Sequence, residues 1–172
     1  TSFQLLTGEN LTKYHINYKN LYIRFDKNNP QKFKPEILYT KDKLLIRRVG
    51  NELAASLDQN KYVVLNTIYC GILKDENYNL KYILSLLNSN LISFWFKKIF
   101  ILDDKLFPYV RQSQLEFIPI KKISKHEQQP LIALVDQILA ISKSADYFEN
   151  PDKRMKVEEY KKQIDKLVYK LY

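Results

Sequence analysis

The sequence predicts an α+β protein: a twisted, mainly antiparallel sheet with packed helices, followed by a C-terminal helical hairpin. Three observations carry this. Runs rich in Val, Ile, Tyr and Thr, separated by short polar turns, fill residues 43–73. Apolar residues spaced by threes and fours take over at Leu80. The same helical spacing governs the chain beyond residue 125.

Residues 1–40 read as short strands with polar turns: Leu21-Tyr22-Ile23-Arg24-Phe25 has strand composition, and Asn28-Asn29-Pro30 marks a loop. An antiparallel meander follows. It comprises residues 44–49, a Gly50-Asn51 turn, residues 53–57, a turn at Asp58-Gln59-Asn60, and a long run over 62–73. Leu80, Ile83, Leu84, Leu87, Leu91 and Phe94 then form one face of an amphipathic helix. Asn77 or Asn79 is the expected N-cap, and Asn88-Ser89-Asn90 is where the helix is expected to divide. Asp103-Asp104-Lys105 and Pro108 make residues 102–109 a loop. Phe117-Ile118-Pro119-Ile120 reads as a short edge strand, since proline cannot donate within a ladder. Leu131, Leu134, Val135, Ile138 and Ile141 form one apolar stripe. Val157, Tyr160, Ile164, Leu167, Val168 and Leu171 form another, close to heptad spacing. Pro151 lies in the link between them, so an antiparallel helical hairpin is expected. The division falls at residue 125, with a main domain over 1–125 and the hairpin over 126–172.

The 172 residues fit one domain with a helical annex, and a 45% hydrophobic fraction supports a core without staples. The single cysteine, Cys70, excludes an internal disulfide framework and points to a reducing cytoplasm. No apolar run reaches the roughly 18 residues that cross a bilayer, so no membrane association is expected. Beginning without methionine, the chain is expected to be part of a longer protein. A net charge of +9 points to a polyanionic partner. Yet 23 of the 28 basic residues are lysine, a bias that an A/T-rich genome produces whatever the function. The excess is +6 over residues 1–120 and +3 over 121–172.

Three glycines exclude glycine-rich phosphate loops. His15 and His126 have no second ligand at metal spacing and no partners for nucleophilic catalysis. Pro151-Asp152, followed by Glu159-Tyr160-Lys161, superficially matches the Pro-Asp…Glu-x-Lys core of many restriction nucleases. That core needs carboxylates converging on one Mg²⁺, whereas on a helix residues 152 and 159 stand about 10 Å apart. The Asn/Asp-Pro-Pro-Tyr/Phe signature of adenine methyltransferases is absent from the sequence, as is a Phe-x-Gly-x-Gly cofactor motif. No catalytic residue, metal ligand or cofactor is therefore expected in this chain.

Residues 43–123 carry a more specific pattern. In chain order it holds a strand ending in Arg47-Arg48, Leu65-Asn66-Thr67 in the following strand, and a helix with Leu86-Leu87-Asn88-Ser89. An aromatic segment over 94–100 follows, then Arg111-Gln112-Ser113-Gln114-Leu115 leading into the expected strand at 117–120. These pieces resemble the TaqI-like C-terminal specificity domain family. Its members are the DNA target-recognition domains of bacterial type II restriction–modification enzymes and related adenine-specific DNA methyltransferases. Gly8, Leu11 and Tyr14 resemble the family's Gly-x-x-Ile-x-x-Tyr opening, with leucine in place of isoleucine. Glu127-Gln128-Gln129-Pro130-Leu131-Ile132 is similar to the end of a target-recognition domain in type I specificity subunits, where a helix leaves as a spacer. The resemblance covers most of residues 1–145. It implies sequence-specific binding of double-stranded DNA, with catalysis in a methyltransferase domain of the same polypeptide or complex. That domain would take S-adenosylmethionine and, if the parent also cleaves, Mg²⁺. The alternative is a protein-interaction module docking through the C-terminal helices, its basic surface incidental.

Candidate DNA contacts follow from residue chemistry. Arg47 and Arg48 point to opposite faces of a strand, so one is expected to reach DNA and the other to pair with a carboxylate such as Glu52 or Asp58. Lys13, Tyr14, Lys97 and Lys98 suit phosphates better than bases. Arg111, Gln112 and Gln114 could meet base edges, glutamine pairing naturally with adenine. Asn51 sits in one of the loops, at 26–35, 50–52 and 102–110, where base selection is expected. Phe94, Trp95, Phe96 and Phe100 are expected to pack in the core.

Overall fold

The computed structural model describes residues 2–24, 35–100 and 109–172. The predicted loop at Asn28-Asn29-Pro30, Phe25, and the loop residues Asp103 to Pro108 lie outside these. The elements run β1 (Ser2–Leu6), β2 (Leu11–Thr12), β3 (His15–Ile16), β4 (Tyr22–Arg24), α1 (Ile37–Thr40), β5 (Lys43–Arg47), β6 (Ala55–Asp58), β7 (Val63–Val64) and β8 (Ile68–Gly71). Helices follow: α2 (Leu80–Asn88), α3 (Asn90–Phe100), α4 (Gln112–Leu115), α5 (Lys125–Ser142) and α6 (Pro151–Leu171). The class is α+β.

The strands make three small sheets in place of one meander. β5 is central to the largest, antiparallel to β6 on one side and β8 on the other. β1 pairs antiparallel with β4 and parallel with β7, while β2 and β3 form a short hairpin. The run over 62–73 therefore splits between two sheets. The break is the turn at Leu65-Asn66-Thr67, where Ile68 N donates to Leu65 O (3.1 Å). Leu65 N still reaches Leu6 O (3.2 Å), and Gly8 N donates to Thr67 Oγ1 (2.9 Å), so the turn is pinned to the opening motif.

Both faces of β5 are covered, which explains why it reads as a continuous apolar run. Leu44, with Leu57 of β6, enters the main core beneath α2 and α5. Leu45 turns the other way, into a smaller cluster with Leu6, Leu11, Tyr62, Val64 and Ile68. At the start of β5, Lys43 lies directly opposite Asp58, their side chains 2.5 Å apart and 0% exposed. Asp58 also accepts from the backbone N–H of Asn60, Lys61 and Tyr62, so one carboxylate balances a buried charge and fixes the turn after β6.

The helix reading holds in detail. Asn79 caps α2, accepting from Lys81 N at 2.8 Å. The helix divides at Ser89, whose hydroxyl accepts from Ile92 N at the start of α3. Asn88 docks α2 on the sheet through paired 2.9 Å bonds to the N–H and C=O of Ala55. Gln128 of α5, buried, accepts from Asn79 N and donates to the carbonyls of Asn77 and Ile123. α5 begins with a Ser124–Glu127 capping box and α6 with Asn150 as cap and Pro151 at its first position. The two pack as a hairpin, and Leu131, Val135, Ile138, Val157, Ile164 and Val168 join the same core as α2. Each such burial stabilises by about 1.5–3 kcal/mol.

The expected edge strand at 117–120 is absent. Arg111 heads the short helix α4, and Phe117 N and Ile118 N close its last turn on the carbonyls of Gln114 and Leu115. Pro119 has no N–H, so three of the four residues in this stretch cannot donate to a ladder. Phe117 consequently points outward, 68% exposed.

Candidate nucleic-acid interface

One end of the central sheet gathers most of the basic candidates. Arg47 and Arg48 leave β5 there, the 65–67 turn enters β8 beside them, and the segment 109–111 crosses on the outside. Backbone bonds lace these pieces together: Arg48 N to Thr67 O (2.9 Å), Val110 N to Arg48 O (2.7 Å), and an antiparallel bridge between Val49 and Tyr109.

The alternation expected for the arginines is present. Arg47 lies opposite Ile68, on the face of the smaller cluster, whereas Arg48 lies on the side of Ile46 and Tyr69. The expected pairing with Glu52 or Asp58 is not found. Glu52 pairs with Lys13 (3.3 Å) and Asp58 with Lys43, because register and loop path bring the lysines to those carboxylates first. Arg47 instead folds over Gly50, where a Cβ would stand 3.0 Å from Nη2; its Nε is buried without a hydrogen-bond partner. Gly50 has φ of +136°, a conformation that side chains other than hydrogen rarely tolerate.

Arg48 donates from Nη1 to Asn66 O (3.3 Å), and its guanidinium lies 5.9 Å from the Tyr69 ring and 5.8 Å from the Tyr109 ring. Arg111 lies 5.4 Å from the same Tyr109 ring and donates to its hydroxyl (3.3 Å). Such contacts orient a guanidinium while leaving its charge uncompensated. Tyr69 Oη donates to Val110 O (3.1 Å), fixing the segment from behind. Tyr109, 41% exposed, and Tyr69 are the members that sequence reasoning missed. The available signal was spacing: in extended chain, residues two apart share a face, as Tyr109 and Arg111 do.

The other candidates divide. Lys13 joins this end through Glu52 and donates to Ser93 Oγ of α3 (3.3 Å). Lys97 stands one turn beyond Ser93 on the same helical face, exposed. Lys98 lies over Phe94 at 5.8 Å; Phe94 is 62% exposed, unlike Phe96, which is buried, and Trp95 and Phe100, which pack against the core. Phe94 thus departs from the expected core packing because it sits on the outer face of α3. Asn51 and Gln112 are exposed. Two candidates are corrected. Tyr14 is 2% exposed, its hydroxyl held well above the usual tyrosine range by burial, and it cannot offer its ring to DNA. Gln114 Oε1 accepts from Arg111 N (2.8 Å), so this side chain caps α4.

Charge is distributed unevenly. Six ion pairs connect described residues, and lysine supplies the cation in every one. Arg48 and Arg111 pair with no carboxylate among the described residues. On α6, Glu159 and Lys161 of the nuclease-like motif pair with Lys156 and Glu158 on the exposed side of the helix. Among the described residues no cluster of His, Cys, Asp or Glu could hold a metal ion, and no helix is long and apolar enough to cross a membrane.

A family model, the TaqI-like C-terminal specificity domain, matches residues 3–120, more than half of the chain. Comparison with curated proteins finds no match.

Proposed function

From the premise that the chain belongs to the TaqI-like C-terminal specificity domain family, a family with a DNA-sequence-specificity role in restriction–modification enzymes, we propose how it plays that role. It recognises a specific double-stranded DNA sequence for an adenine-N6 methyltransferase or fused endonuclease. Methyl transfer, with S-adenosylmethionine, and any Mg²⁺-dependent cleavage belong to another domain of the same polypeptide or complex. Residues 1–125 form the reading domain, and the hairpin over 126–172 braces it.

The observation that carries this reading is the pair of carboxylate-free arginines, Arg48 and Arg111, converging at the sheet end beside Lys13, Asn51 and Gln112. Arginine meets phosphates and guanine edges through paired N–H donors. Each of these guanidinium groups gives one internal hydrogen bond to a neutral oxygen, and no carboxylate among the described residues neutralises it. Phosphate contacts position a protein on DNA, and loops at the same edge select bases.

The test is selection of duplexes from a randomised library by the chain, followed by binding across a salt series. Enrichment of a common sequence and a steep fall of affinity with salt are expected. Failure to bind any duplex near physiological salt, with the native catalytic domain attached, would overturn the reading.

A further inference from the structure

We propose, on the reading that the sheet end faces DNA, that Arg48 and Arg111 form a single site for one backbone phosphodiester, with Tyr109 as its platform. Neither arginine reads a base edge. Both guanidinium groups lie within 6 Å of the Tyr109 centroid, at 5.8 and 5.4 Å. Two like charges held on one ring repel each other, and no carboxylate among the described residues offsets that repulsion. An anion does, and the phosphodiester is the anion that a duplex presents outermost.

The posture of the side chains decides between phosphate and base. Arg48 is tied to Asn66 O of its own sheet end and lies against Tyr69. Arg111 folds back on Tyr109, two residues earlier, and donates to its hydroxyl. A guanine reader must project its fork into a major groove about 8.5 Å deep. A guanidinium lying against rings of its own domain stays at the protein surface, where the phosphates arrive. The site is also held in advance of binding: Tyr69 Oη reaches Val110 O, and Val110 N reaches Arg48 O, so the two arginine-bearing segments are laced together. Little ordering remains to be done when the anion binds.

Arg48→Gln, Arg111→Gln and Tyr109→Leu, made in the full chain, test this on two duplexes. One is a duplex enriched by the wild-type protein and the other a shuffled duplex of the same composition, both measured across a salt series. Each arginine variant is expected to weaken both duplexes by the same factor, about tenfold. The log–log salt slope should fall by about 1 for each charge lost. Tyr109→Leu should weaken both duplexes without changing their affinity ratio. If Tyr109→Leu does not fold, Tyr109→Phe, which removes only the hydroxyl bond to Arg111, takes its place with the same expectation at smaller size. A loss confined to the enriched duplex would assign the arginines to base reading and overturn the phosphate site while DNA recognition stands. Unchanged affinity and slope on both duplexes would overturn it equally. If the wild-type chain bound neither duplex, the recognition reading itself would fall.

Discussion

In the helical hairpin, lysines face carboxylates. Lys153 pairs with Asp146, Lys156 with Glu159 and Lys161 with Glu158, and Lys81 of α2 reaches Asp136 of α5. At the sheet end, Arg48 and Arg111 both lie against the ring of Tyr109. Both regions are basic in sequence, yet the hairpin holds three lysine–carboxylate pairs, whereas Arg48 and Arg111 have no carboxylate partner among the described residues. Net charge therefore says little about where a polyanion binds; the internal partners of each cation say much more.

The largest effect is expected at the opposite end of the central sheet, where β5 begins. Asp58→Ala would leave Lys43 buried and unpaired and three backbone N–H groups without their acceptor. A loss of about 3–5 kcal/mol in chemical denaturation is expected, because a buried charge without its partner keeps its desolvation penalty. In the hairpin, Ile164 is 1% exposed, and Ile164→Ala should cost about 2–4 kcal/mol. Measured where both proteins are folded, this variant should keep wild-type DNA affinity. An equal loss of stability and affinity would make the hairpin part of the reading surface.

A smaller effect sharpens the account of the hairpin's charges. Hydrogen bonds from Lys153 and then Asn150 lower the Asp146 carboxyl from 3.8 to about 2. Because the folded value lies below the unfolded one, the contribution is present above pH 3.8 and is lost as pH falls towards about 2. Melting of wild type and Asp146→Asn should therefore differ above that window and converge within it. A constant difference through the window would show that the ion pair contributes nothing.

The same contrast explains what could be read from sequence. Helices were legible because their apolar stripes repeat locally, and even the division at Ser89 follows from Asn88-Ser89-Asn90. Strand pairing was not. β5 is buried on both faces, so alternation is missing, and the turn at Leu65-Asn66-Thr67 contains neither glycine nor proline to punctuate the run. Pro119 suits an edge strand and a helix exit equally; the donors already taken by α4 decided it. The opposite facing of Arg47 and Arg48 followed from strand geometry alone. Their partners did not, since the pairing of Lys43 with Asp58 depends on a cross-strand register that no local pattern encodes. Tyr14 kept the family's opening spacing, but spacing could not show that its ring turns inward.

The account rests on charge location, and a charge-matched pair of variants tests that directly. Arg48→Gln/Arg111→Gln and Lys156→Gln/Lys161→Gln each remove two positive charges, one pair at the sheet end and one from the hairpin. Binding to a duplex enriched by the wild-type chain, measured near physiological salt, should weaken at least about tenfold for the arginine pair and less than about twofold for the lysine pair. Equal weakening by the two pairs would contradict the account, since binding would then follow net charge and not the sheet end.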